Sequence, residues 1–353
     1  MLQLLNNNLK FSFENVHPDA NVSINFQRTL RIPDNDKKYN LPPGFGPFPL
    51  MQVDSLQRDK VPSKWIEQSG VVFPMYQSEA MWIKFIPFCG DRRSSAYPFA
   101  IKISTGKVSA LTGKPFGENL EKGDYVTIPK QPWLDGFVVD KGIIKQFVAT
   151  PLGSGVSVEQ QVTGEDIVGG LQIEVIPMKN NVYNKLFPKQ KQNSNKLYRG
   201  ISNLNDHLSL DFCKCFKSMD AERSEISEMS IGAGGSMEQQ IYKDQFGLDV
   251  WDIENTNKVF VHLVNSMVWR QLTGIEPPTT PFTAKEYSSN GYPWFEYYQD
   301  SPSISSTSIL SNIKSIKDLP NGKFMMPENE DVNPKIINIS PVKDLSIVRD
   351  GKF

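Results

Sequence analysis

Between Leu9 and Lys179, apolar and polar residues alternate in short runs that stop at Gly, Pro, Asn or Asp. The runs "NVSINFQRTLRI", "AMWIKFI", "YPFAIKIS", "KVSALTG", "DYVTIP", "GIIKQFVATP", "VSVEQQVTG" and "GGLQIEVIPM" each read as a strand, because alternate side chains of an extended chain face one side. In "GKVSALTG" this places Val108, Ala110 and Thr112 on one face. The succession predicts a mainly β fold, with an antiparallel β-sandwich or barrel-like core and α+β as the fallback. One short helix is expected at "SKWIEQSG", where Ser63 can cap the start and Gly70 can end it.

The pattern then changes. Around Pro188 to Ser194 periodicity gives way to Lys, Asn and Gln, which marks a linker or long excursion over 186–225 after a core of 1–185. Alternation resumes in "SEISEMSIGAGGSMEQQIYKD", able to rejoin the first sheet as part of a strand-plus-helix subdomain over 226–300. Phe260, Leu263, Val264, Met267, Val268 and Leu272 recur at helical spacing and predict one amphipathic helix, capped near Asn255 to Asn257 and stopped by Gly274. The Ser-, Lys- and Pro-rich stretch over 301–353 reads as an extended C-terminal tail lying on the body or on a partner.

Composition narrows the function classes. With 38 Lys and Arg against 39 Asp and Glu, no global field draws the chain to nucleic acid or anionic lipid. No apolar run is long enough for a membrane-spanning helix, and the N-terminus lacks the basic start of a secretory signal. Three cysteines, Cys89, Cys213 and Cys215, are too few for a disulfide framework, so a cytoplasmic, reducing setting is expected.

Catalytic motifs fail one by one. In "MSIGAGGSMEQQ", Met237 stands where a dinucleotide fingerprint needs its third glycine, so Gly232, Gly234 and Gly235 read as a bulge or a close backbone approach. The acids Asp244, Asp249, Asp252 and Glu254 lack calcium-loop spacing; Asp244, Asp249 and Asp252 stay as an alternative metal set, with helix capping the plainer reading. Cys213, Cys215 and upstream His207 make an incomplete zinc pattern. His262 falls on the expected helix, off its apolar stripe, facing solvent or a groove. The clusters "PWLDGF" and "YPWFEYY" each set a tryptophan two positions before a carboxylate, which is the equipment of a sugar site. Trp133, Trp294 and His262 are therefore the candidate binding residues, and Asp135 with Glu296 the candidate acid pair of an alternative hydrolase. The plainer reading makes both tryptophans core plugs. No cofactor is expected.

The blocks "LPPGFGPFPL", "FPMYQSEAMW", "PWLDGF" and "EQQIYKDQFGLDVWD", within a span from Arg28 to about Asp300, resemble those of a family of bacterial and fungal hypothetical proteins. The resemblance implies a stand-alone soluble protein and brings no catalytic residues with it. The expectation is a non-enzymatic β-rich protein that binds or self-assembles, as a homo-oligomer without nucleic acid. The alternative is a hydrolase acting on a carbohydrate-like substrate.

Overall fold

The computed structural model describes residues 1–88, 96–188, 227–297, 301–322, 332 and 335–339. Two large sheets face each other. The first runs in the order Leu2–Leu5, Asn8–Ser12, Asn21–Thr29, Ala80–Pro87, Ile143–Pro151, Met229–Glu238 and Lys38–Tyr39. The second runs Val108–Ser109, Phe99–Thr105, Leu171–Pro177, Asn257–Asn265, Val71–Met75 and Met51–Gln52. Neither described order closes on itself, so the architecture is a sandwich and not a barrel. Most pairings are antiparallel, as the short turns require, but Met229–Glu238 with Lys38–Tyr39 and Asn257–Asn265 with Val71–Met75 are parallel.

The inward phase of each strand makes one core between the sheets. Val22, Ile24 and Phe26 meet Met81, Ile83 and Phe85 on the same face, and Phe26 stacks on Phe73 of the opposite sheet at 5.0 Å between centroids. The segment after residue 226 is not a subdomain laid on a finished core. It supplies an interior strand to each sheet, and the core spans residues from Leu9 to Val332. Most of the expected 186–225 linker, with His207, Cys213 and Cys215, lies outside the described residues, as does Cys89.

Three sequence expectations are corrected. The predicted long helix is a strand, Asn257–Asn265, followed by a helix, Ser266–Thr273. Its first half, "KVFVHLV", fits period two as well as 3.6, and Val259, Val261 and Leu263 point into the core in strand phase. The true cap is Asn265, whose side chain accepts from the Met267 N–H, while Gly274 ends the helix as expected in the left-handed conformation. Conversely "VSVEQQVTG" is a helix, Val158–Thr163, capped by the Ser157 hydroxyl and closed by Gly164. At "SKWIEQSG" the helix Ser63–Gln68 forms, but Pro62 holds the cap position without a side-chain bond.

The first part of the expected tail is ordered by its own chain. Residues 301–322 make a short helix, Ser308–Ser311, and a 3-10 turn, Ile316–Asp318, and bury Leu310, Ile313 and Ile316 against the body. No described helix is long and apolar enough to cross a membrane.

Candidate functional site

The outward phase of the first sheet divides into two halves. In one, Ala80 and its cross-strand partner Val148 are covered by Ile316 and Val156, with Leu319 packed alongside. Gly232, paired with Val148, permits this, since a Cβ there would come within 2.7 Å of the Ile316 side chain. The register slips between Lys145 and Phe147, with Gly234 and Gly235 in the extra length, and Gly235 lies against the Pro33 carbonyl. The glycine run is thus both a bulge and a close backbone approach.

The other half begins two residues further along the same strand. Trp82 and Lys84 point outward beside Gln27 and Asn25, their partners across the pairing, and Trp133 sits directly opposite Lys84. The Trp82 and Trp133 rings meet edge to face, 6.3 Å apart at 68°. Both are half-buried and Lys84 is exposed. An amide ladder continues from them: Gln27 donates to Asn25 (2.8 Å), and Asn25 donates to Asn8 (2.8 Å). No acid occupies an outward position of the Asn8–Ser12, Asn21–Thr29 or Ala80–Pro87 strands. Gly44 lets Trp82 lie against its backbone, because a Cβ there would stand 2.9 Å from the indole.

Beneath Trp133 lies Asp135. Its backbone N–H donates to the Gln239 side-chain oxygen (3.0 Å), and its carboxyl accepts from the Gln239 amide (2.5 Å) and the Trp133 side chain. Burial pushes this carboxyl up to about 7, against the opposing pull of those two donors. Leu41, Gln131, Trp133, Gln239 and Tyr242 line an adjoining recess with room for about one water molecule.

The other candidates separate. Glu296 is exposed on Pro293–Tyr297, a strand of a separate two-stranded sheet, whereas Asp135 is 3 % exposed beside the first sheet. Trp294 is fully buried, its indole N–H donating to Ser288 at 3.1 Å, so it is a core plug and offers no stacking face. His262 is on a strand, not a helix, and faces neither solvent nor a groove. It is buried between Trp65 and Phe260, each 4.6 Å away, with Nε2 2.9 Å from the Ser69 carbonyl. Burial lowers its pKa to about 4, with the Ser69 bond opposing and Lys64 assisting.

The three metal candidates do not converge. Asp244 accepts from the Tyr125 hydroxyl (2.5 Å), the Phe246 and Gly247 N–H groups and the Trp251 indole, which makes it a turn anchor. Asp252 accepts from the Asn255 amide, and the side chain of Asp249 is exposed. Among the described residues no group of three His, Cys, Asp or Glu could hold an ion.

Sequence reasoning flagged Trp133 but passed over Trp82, Asn25 and Gln27. The signal was present: Trp82 stands in the polar phase of "AMWIKFI", opposite in phase to Met81, Ile83 and Phe85. Compared with protein-family models, curated proteins and solved structures, the chain matches none.

Proposed function

We propose that this is a non-enzymatic binding protein that takes its ligand at the half-buried Trp82–Trp133 corner of the outer face. The observation supporting this is the coincidence of two stability liabilities at the two tryptophans. The Trp82 indole nitrogen is buried without an acceptor among the described residues, and Trp133 rests on the buried Asp135 carboxyl. A buried donor left unmade costs about 1–3 kcal/mol, and a buried carboxylate is also unfavourable. Among the described residues, partnerless buried polar atoms also occur at Thr150 and Trp269, so one alone marks nothing. Here two adjoin the same ring pair, which is only half-buried and stands beside exposed Lys84, the combination expected where stability is traded for function.

Catalysis has less support. Asp135 is hydrogen-bonded under a ring, and Glu296 belongs to a different sheet. Self-assembly through the tail loses its motive, because residues 301–322 are ordered by their own chain.

A thermal-shift screen of peptides, nucleotides and sugars on the wild type and Trp133→Ala tests the reading. A compound that stabilises the wild type, loses that effect on the variant and is recovered unchanged supports it. A compound that acts equally on both, or is turned over, defeats it.

A further inference from the structure

We propose that the ligand is a glycan chain lying across the Trp82–Trp133 corner, an inference that rests on the binding reading above. Size comes first. A drug-sized molecule needs a cleft of about 300 Å³ or more to bury it, and the recess beside Trp133 holds about one water. The ligand must therefore lie across a surface and gain contact by length. A peptide recruited by strand addition needs a free strand edge, but Ala80–Pro87 is paired on both sides, to Asn21–Thr29 and to Trp133–Leu134. A nucleic acid needs a dense row of cations, and the outward positions of Asn8–Ser12, Asn21–Thr29 and Ala80–Pro87 offer only Lys10 and Lys84 in a chain of net charge −1.

What the face does offer matches a sugar. A pyranose has a C–H face that stacks on an aromatic ring and a rim of hydroxyls that both donate and accept. The indoles supply the ring faces, with Trp133 also walling the recess. Asn25 and Gln27 are buried and bonded in a chain to Asn8, so of the three amides it is half-buried Asn8 that can meet a hydroxyl, through the second lone pair of its side-chain oxygen. Lys84 adds a donor opposite Trp133. The Trp82 N–H, buried without an acceptor among the described residues, is the group a sugar oxygen can satisfy after a small shift of the ring.

The test is calorimetric and fluorescence titration of cello-, xylo-, manno- and chito-hexasaccharides and a galacturonate hexamer into the full chain. At least one should bind and perturb tryptophan emission. Trp133→Ala should weaken that binding about tenfold or more. Trp82→Phe keeps an aromatic ring and removes the N–H; it should weaken binding several-fold while leaving the unfolding midpoint near the wild type. Binding that Trp133→Ala leaves intact overturns the placement. If no glycan binds but a peptide or nucleotide from the thermal screen does, with Trp133 required, the glycan assignment fails and the binding reading stands. If nothing in either experiment depends on Trp133, both fail.

Discussion

Two halves of one sheet face, built on the same strand, are finished in opposite ways. At Ala80 the outward side chains are small, Gly232 stands across from Val148 one strand further on, and Ile316 fills the space they leave. At Trp82, two residues on, the outward side chains are large, aromatic and amidic, and the Trp82 indole N–H has no acceptor among the described residues. The first half is solved as a packing problem. The covered half has its own partnerless hydroxyl at Thr150, but the second sets a partnerless indole N–H and a buried carboxyl against one half-exposed ring pair, which is the physical ground for placing the ligand there.

The largest effect should come from breaking the covered half. Ending the chain after Asp300 removes Leu310, Ile313 and Ile316 and bares Val148 and Gly232. At about 1.5–3 kcal/mol for each buried aliphatic side chain, this exceeds much of the stability of an ordinary domain. The truncated chain should unfold or aggregate. Ile316→Ala alone should cost about 2–5 kcal/mol in urea unfolding and leave ligand affinity unchanged. A folded, monomeric truncation of full stability would show that the segment is an appendage.

A smaller effect of opposite sign is expected under Trp133. The folded Asp135 carboxyl sits near 7, above the ordinary value of 3.8. Its contribution is therefore most favourable below about 4, declines as pH rises towards 7, and is level above that. His262 works the other way. Its folded pKa is depressed to about 4 from 6.5, so its contribution is present above 6.5 and fades as pH falls towards 4. The two oppose between about 4 and 6.5 in the wild type. Asp135→Asn should remove the decline and stabilise the protein at pH 8, by an amount on the order of 1–4 kcal/mol. Urea midpoints measured from pH 4 to pH 8 check this; an Asn variant less stable than the wild type at pH 8 would mean that the carboxylate is favourably held.

The same contrast shows what a sequence can reveal. Strand phase was legible because inward and outward residues differ sharply in "NVSINFQRT" and "GIIKQFVATP". It failed at "KVFVHLVNSMVW", where β-branched residues satisfy both periods and only the partner strands Leu171–Pro177 and Val71–Met75 decide. The glycine run was readable as a bulge, but not its purpose, because Ile316 lies far along the chain. The two "W-x-acid" clusters looked alike in sequence. Burial separates them: Trp294 is sealed at 0 % exposure, while Trp133 remains half-open beside a second tryptophan that no local motif linked to it.

Amide hydrogen exchange with and without the tightest-binding hexasaccharide tests the central claim most directly. Added protection is expected in the segments around Asn25 to Gln27, Trp82 to Lys84 and Trp133, with none around Val148, Gly232 and Ile316. Protection confined to the covered half, or elsewhere on the molecule, would contradict it.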